Sequence, residues 1–269
     1  MIIGISGKAQ NGKDTVAKII QGFDIWKKNL TLQTEYPLSN VFVRDYVLNR
    51  VSIYVSSWQV KKFASTLKEI VSILTGFTVE DLEKEEIKNT NLFLSYKLLN
   101  KKANTFEIFA SMEDLVERLD YLRTVYLDIY SAEEVNTLFE QETISVTPRL
   151  LLKTIGTDIV RTINPNIWVN KLMNDYISYA DAISGNSEIK KLYPNWIIAD
   201  IRFPNEVKAV KKKDGIVIRI NRESDYNSNH SSEIALDDYE NFDYTIDNNN
   251  CIDCLIEKVK EILKHEKII

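Results

Sequence analysis

Cysteine is almost absent from this chain, which holds two, Cys251 and Cys254, in 269 residues. So few exclude a disulfide-stapled fold, and no second Cys or His pair is spaced to complete a zinc site with this C-x-x-C. The pair falls in the terminal helical pattern Ile252, Leu255, Ile256, Val259, Ile262, Leu263. That predicts two core thiols in a reducing compartment. A redox role needs the motif at a helix start after a strand, and the pattern does not put it there. Long apolar runs are also missing: none reaches the roughly 20 residues of a membrane span, and Met1 to Ser6 is too short for a signal-peptide core. The expectation is a cytoplasmic protein, in the host cytoplasm if the source is viral. Excess positive charge is lacking too, since the net charge is −5. This argues against broad binding to nucleic acid or anionic membrane. No internal repeat is evident.

What the chain does hold is one dense signal near its start. The apolar run Met1 to Ile5 is followed by Gly7-Lys8-Ala9-Gln10-Asn11-Gly12-Lys13-Asp14-Thr15, then by a helical pattern at Val16, Ile19, Ile20 and Phe23. Strand, glycine loop and helix in this order fit the phosphate-cradling spacing G-x-x-x-x-G-K-[ST], with Asp14 in the Ser/Thr place and Thr15 one residue later. Gly7 and Gly12 open backbone conformations closed to other residues, so that successive N–H groups can face one anion. Lys13 adds a point charge, and the helix directs its positive end to the same place. Residues Gly7, Gln10, Asn11, Gly12, Lys13, Asp14 and Thr15 are therefore expected to hold a nucleotide. Either Thr15 takes over the hydroxyl's task at a magnesium ion, or the Asp14 carboxylate reaches the metal through water or steadies the lysine.

Further along, residues 24 to 57 alternate aromatic and β-branched stretches (Val41-Phe42-Val43, Val51 to Val55) with polar turns, which predicts short strands or an irregular excursion. Trp58 to Ala64 reads as a second core strand, followed by a helix from Thr66 to Thr75 that stops at Gly76, and by an acid-rich helix from Val79 to Lys88. A second excursion, 89 to 145, contains an amphipathic helix over Met112 to Tyr130 with Leu115, Leu119, Leu122, Val125 and Ile129 on one face. Thr147-Pro148 starts another helix as cap and first-turn proline. A helix from Ile167 to Ala180 follows. Trp196 to Asp200 is an apolar run ending in a carboxylate, the form of a buried parallel strand that delivers an acid to its carboxyl end. A helix entered at Pro204, strands at Gly215 to Ile220 and Tyr244 to Ile246, and a closing helix from Cys251 to Lys264 complete the chain. Strands alternating with helices imply a three-layer α/β domain with a mainly parallel sheet. One domain over 1–269 is expected, with insertions at about 24–57 and 89–145.

Phosphoryl transfer needs phosphates in line, a magnesium ion, and cations over the transferring oxygens. Lys13 and the loop amides suit the donor phosphates. Asp200, at a strand end, suits Mg²⁺ or its waters, because magnesium takes one or two carboxylates and keeps several waters. Arg149, Arg161 and Arg202 are candidates for the acceptor phosphate and the transition-state charge, since a guanidinium binds two phosphate oxygens at once. His230 reads as structural, and His265 as exposed in the charged tail of the last helix.

Gly12 to Thr15, Phe63-Ala64 with Leu67-Lys68, Leu151-Leu152 with Ile155 to Asp158, Trp168-Val169, Asp200 to Glu206, and His230-Ser231-Ser232-Glu233 together resemble the deoxynucleoside monophosphate kinases of tailed phages. The resemblance spans most of 1–23, 58–88 and 147–266. It implies a P-loop kinase fold with helical insertions, the excursions at about 24–57 and 89–145 forming an acceptor-side lid subdomain, and transfer of the γ-phosphoryl group of ATP, with Mg²⁺, to a deoxynucleoside 5′-monophosphate. It also implies roles. Positions matching Asn11, Lys13, Asp14 and Thr15 serve phosphates and metal, and those matching Arg149, Gly156, Thr157, Trp168, Asp200, Arg202 and Glu206 build the acceptor and catalytic site. Lys68 matches a position beside the acceptor pocket, and Lys153 stands where the family pattern has glutamine. Small-molecule substrates are the expected partners, with a homodimer left open. Dephospho-coenzyme A or phosphomevalonate kinases, whose loops are similar, and a nucleotide-binding protein without turnover are the alternatives.

Overall fold

The computed structural model describes residues 1–51, 54–178, 192–223 and 230–269. The expectations for Ser52, Ile53, Tyr179 and Ala180 lie outside the described residues.

Strand β1, Ile2–Ser6, is apolar except for its last residue and buried along its whole length. Such a strand needs helices on both of its faces. It lies at the centre of a five-stranded sheet with β2 (Trp58–Lys61), β6 (Asn195–Ile201), β7 (Ile216–Asn221) and β8 (Tyr244–Asp247), in the order β2-β6-β1-β7-β8. Every pairing is parallel. Ser6 at the end of β1 registers with Ile201 of β6 and Arg219 of β7, so the carboxyl ends of the three central strands finish side by side. Because the chain steps outward to β2 and returns to β6 before crossing to β7, the sheet reverses its strand order beside β1. Open α/β sheets keep their ligands at such a reversal.

Ile3 and Ile5 face a core built from helix α1 (Lys13–Lys28), the helix Ser39–Val47 and the last helix, Ile252–His265. On the other face, Val207 and Val210 of the helix Pro204–Lys211 pack towards β1 and β7, and the helix Ile167–Asn174 lies beside Pro204–Lys211. This three-layer arrangement of a mainly parallel sheet is that of a P-loop kinase.

Several elements differ from the sequence reading. Residues 24–28 continue α1, and Leu30–Glu35 and Ser39–Val47 are helices where short strands or an irregular excursion were expected. Phe42 and Val43 are fully buried against the main core, and the Phe42 ring packs with Tyr36, Tyr46 and Tyr54. Burial on one helical face here overrides the β-branched and aromatic preference for strands. Val79–Lys88 is not one helix. Asp81–Glu83 forms a 3-10 turn and Glu85–Lys88 a single α-turn, because Lys84 between them is extended, at φ −78° and ψ 132°. The helix from Ile167 stops at Asn174.

The described contacts divide the chain into two compact units, Met1–Thr66 with Thr157–Ile269, and Leu67–Gly156. The first holds the parallel sheet. The second contains an antiparallel sheet the sequence reading did not anticipate, in the order β4-β3-β5, from Phe93–Asn100 (β3), Thr105–Phe109 (β4) and Phe139–Val146 (β5). The amphipathic helix spans Met112–Tyr126, with Leu115, Leu119 and Leu122 packed on Leu98. Val125 is half-exposed and Ile129 lies beyond the helix end, so the apolar stripe is shorter than its sequence pattern.

Candidate functional site

The loop after β1 is held by the ends of two other strands. The Asn11 side-chain amide donates to the carbonyl of Ile220 in β7 at 2.9 Å, and the Asn248 amide, just after β8, donates to the Asn11 carbonyl at 3.0 Å. Gly12 caps α1 at φ +94°, where L side chains are strained. A Cβ there would sit 2.6 Å from Asn248 Nδ2, and one at Gly7 would sit 2.7 Å from the Ile220 carbonyl oxygen. Gly7 is thus required by the close approach of the Ile220 backbone, and Gly12 by its left-handed conformation beside Asn248. Gln10 sits at the exposed tip with a left-handed φ of +63°.

Lys13 lies across this loop. Its Nζ donates to the carbonyls of Gly7 at 2.7 Å and Lys8 at 2.6 Å. Burial pushes its ammonium down to about 8 and Arg202 adds to the shift, while Glu233, Asp14 and Asp200 pull the other way. Arg202, Glu233, Asp14 and Asp200 are therefore close enough to Lys13 to be felt electrostatically. Asp14 is exposed, with Lys62 Nζ 3.5 Å away, and Thr15 is half-buried one residue on.

Asp200 is the penultimate residue of β6. Its two carboxylate oxygens accept the backbone N–H groups of Phe63 at 2.8 Å and Ala64 at 2.9 Å. Loss of solvent raises its pKa, and these N–H groups, Arg202 and Lys62 oppose the rise. Six residues later, Glu206 is buried at the start of the helix Pro204–Lys211. It accepts the N–H groups of Arg202 at 2.7 Å and Phe203 at 3.1 Å, so it closes the helix end as a capping-box glutamate does. Its other oxygen pairs with Arg161. Burial pushes Glu206 up to about 7 against the pull of the Arg161 guanidinium. Arg161 also lies over the Phe203 ring, 3.9 Å from its centroid, and donates to the Pro165 carbonyl at 3.2 Å. The Asn205 amide reaches the same carbonyl at 2.8 Å. Trp168 is buried in the helix that follows this turn.

Arg202 leaves the strand end and pairs with Glu233, whose second oxygen accepts the Ala9 N–H of the glycine loop at 3.3 Å. An arginine beyond β6, a glutamate beyond β7 and the loop beyond β1 are thereby joined. A family model for deoxynucleotide monophosphate kinases matches residues 1–259. The chain belongs to this family. A protein of Acanthamoeba polyphaga mimivirus, whose name assigns it provisionally to the deoxynucleotide monophosphate kinases, is 27% identical to this chain over 126 residues. That match covers 46% of this chain and 65% of the viral protein.

In this kinase-family chain the first unit brings together the loop residues, Arg161, Asp200, Arg202 and Glu206, and carries Thr157 and Trp168. The other expected residues belong to the second unit. Lys68 is nearly buried and pairs with Glu83. Arg149 donates through Nε to Asn89 at 2.9 Å and pairs with Glu85. Lys153 ends the helix Pro148–Lys153, whose Thr147 cap accepts the Leu150 N–H at 3.2 Å. The chain then winds into a π-helical turn, Thr154–Ile159, that carries Gly156 and Thr157. A Cβ at Gly156 would fall 2.4 Å from Leu67 Cδ2, so packing within the second unit accounts for this glycine.

Two residues were missed as parts of this site by reasoning from sequence. Glu233 stood in the His230–Glu233 block, and the only signal for it was that block's likeness to the family. Asn248 lies in an asparagine run that reads as an ordinary turn. His230 has the structural place expected of it: its Nδ1 accepts the Ser232 N–H at 3.3 Å and caps the short helix Ser231–Ile234. His265 is exposed, with its Nδ1 2.6 Å from the Tyr244 hydroxyl.

Proposed function

We propose that this protein transfers the γ-phosphoryl group of ATP to a deoxynucleoside 5′-monophosphate. The observation that carries the reading is Lys13 lying across a glycine loop with Arg202, Glu233 and Asp200 as its electrostatic neighbours, at the carboxyl ends of the central strands. Phosphoryl transfer asks little covalent chemistry of a protein and much positioning of charge. An oxygen of the acceptor phosphate forms a bond to the γ-phosphorus as the bond to the β–γ bridging oxygen breaks, and ADP leaves.

The residues fit both groups that this reaction requires. The loop has no side-chain atoms where Gly7 and Gly12 approach their neighbours, and its backbone N–H groups and Lys13 suit the donor phosphates. Asp14, Thr15 and Asp200 supply the oxygen ligands, direct or through water, that magnesium takes. When bound, magnesium neutralises charge on the phosphate oxygens. Arg202 and Arg161 are assigned to the transferring and acceptor phosphates. Glu206 is assigned to holding Arg161 and the Arg202 backbone, with Trp168 and Thr157 on the acceptor side. From the second unit, Lys68, Arg149, Lys153 and Gly156 are assigned to the acceptor by family resemblance.

The test is a coupled assay of ADP formation at fixed ATP and Mg²⁺, offering dAMP, dCMP, dGMP, dTMP and their ribose counterparts singly. ADP formed with at least one deoxy acceptor, above ATP hydrolysis alone, is the expected result. Silence across this panel with turnover on dephospho-coenzyme A or phosphomevalonate would replace the acceptor, and silence on all of them would remove the enzymatic reading.

A further inference from the structure

Cys251 and Cys254 are not core thiols. Both are exposed, because the buried face of the last helix begins only at Leu255. Cys251 is the N-cap of Ile252–His265, Cys254 lies in its first turn, and β8 ends four residues before Cys251. This is the strand, turn and helix start that a redox pair requires and that the apolar pattern concealed. The two Sγ atoms are 2.9 Å apart.

We propose that Cys251 and Cys254 form a redox-active dithiol that closes reversibly to a disulfide by exchange with a low-molecular-weight disulfide. A disulfide bond is about 2.05 Å long, so closure moves the sulfurs by less than about 1 Å and leaves the helix in place. The two thiols are polarised into different tasks. The Cys254 thiol and backbone N–H hold the Cys251 thiol below its usual pKa, whereas the hydrogen bond to Cys251 pushes Cys254 up. The helix N-terminus favours a thiolate at the same position. Cys251, at the N-cap of the helix, is assigned as the attacking sulfur, and Cys254, one turn in, as the resolving one. The Cys251 thiolate attacks one sulfur of the small disulfide, forming a mixed disulfide and releasing one thiolate. Cys254 loses its proton to solvent and attacks Cys251 Sγ, releasing the second. The protein gives up two electrons and two protons, and the small disulfide becomes two thiols. Closure takes place three residues from Asn248, the residue that grips Asn11 of the glycine loop.

The test is independent of kinase activity. The full chain is equilibrated in glutathione buffers of increasing oxidised fraction, quenched with an alkylating agent and weighed intact. Expected is a monomer that has lost two hydrogen atoms, takes no alkyl group, and recovers both reactive thiols on reduction. Cys254→Ser should stall as a single glutathione adduct, and Cys251→Ser should acquire glutathione several-fold more slowly than Cys254→Ser. Two thiols that stay alkylatable in fully oxidised glutathione would overturn the proposal, as would a disulfide found only between chains or equal rates in the two variants.

Discussion

Glu233 pairs with Arg202 and, through its other carboxylate oxygen, accepts the N–H of Ala9. A charged side chain from beyond one strand is thereby anchored to the backbone of the loop beyond another. Arg202→Ala should lower kcat by about 10²- to 10³-fold, as loss of a preorganised transition-state charge does. Glu233→Gln keeps the shape but loosens the anchor, and should lower kcat by about tenfold with an unchanged melting temperature. Steady-state kinetics beside thermal melts check both. A modest rise in KM for ATP as the sole effect of Arg202→Ala would remove that residue from the catalytic set.

Lys13 caps two loop carbonyls with an ammonium that phosphates would replace as partners. Lys13→Ala should abolish transfer while circular dichroism and the melting transition stay close to those of the parent. Near-normal turnover would refute the loop assignment.

Asp14 is exposed, with Lys62 beside it. Asp14→Ser should keep metal-dependent activity if the residue stands in for the usual hydroxyl. Complete loss, measured across a magnesium titration, would give the carboxylate a task of its own.

The Arg161–Glu206 pair is almost fully buried. Removing one partner of such a pair leaves the other charged and unpaired. Glu206→Ala should therefore destabilise the protein by about 3–5 kcal/mol in denaturant unfolding. Glu206→Gln should cost less, because an amide oxygen still accepts the N–H groups of Arg202 and Phe203. Equal losses in the two variants would show that those hydrogen bonds contribute nothing.

Asp24 offers a test by pH. Burial raises its pKa, but Lys28, the Ser56 hydroxyl and the Ser57 N–H outweigh burial and hold it below the usual carboxylate value. A folded pKa below the unfolded one means that the stabilisation is present above the unfolded value, near pH 4, and is lost as pH falls through the folded value. Asp24→Asn should lower stability at neutral pH by about 1–2 kcal/mol, the scale of lost hydrogen bonds to a charged group, and flatten the acid limb of a stability-against-pH curve. A parallel curve for the variant would contradict the assignment.

The parallel strands were legible because a strand buried on both faces must be apolar along its length, as Ile2 to Ile5 and Trp196 to Ala199 are. The helix starts at Lys13, Pro148 and Pro204 were legible because caps and first-turn prolines are local. Val41–Val43 misled because which face of Phe42 and Val43 is buried depends on α1 and the last helix, far away in sequence. The antiparallel sheet of the second unit escaped because its apolar residues, among them Phe93, Phe106 and Ile108, are exposed and do not mark a buried face.

At the site, the glycine loop, its lysine and the acid at the end of β6 could be read from the chain alone, since each is written in consecutive residues. That Arg161 belongs to Glu206, that Glu233 ties Arg202 to Ala9, that Asn248 holds Asn11, and that Cys251 caps an exposed helix start emerges from the folded chain. Those pairings join residues 31 to 237 positions apart, apart from the cysteine cap, which depends on where the buried face of one helix begins. Spacing along a chain carries no record of side chains that meet because parallel strands end side by side.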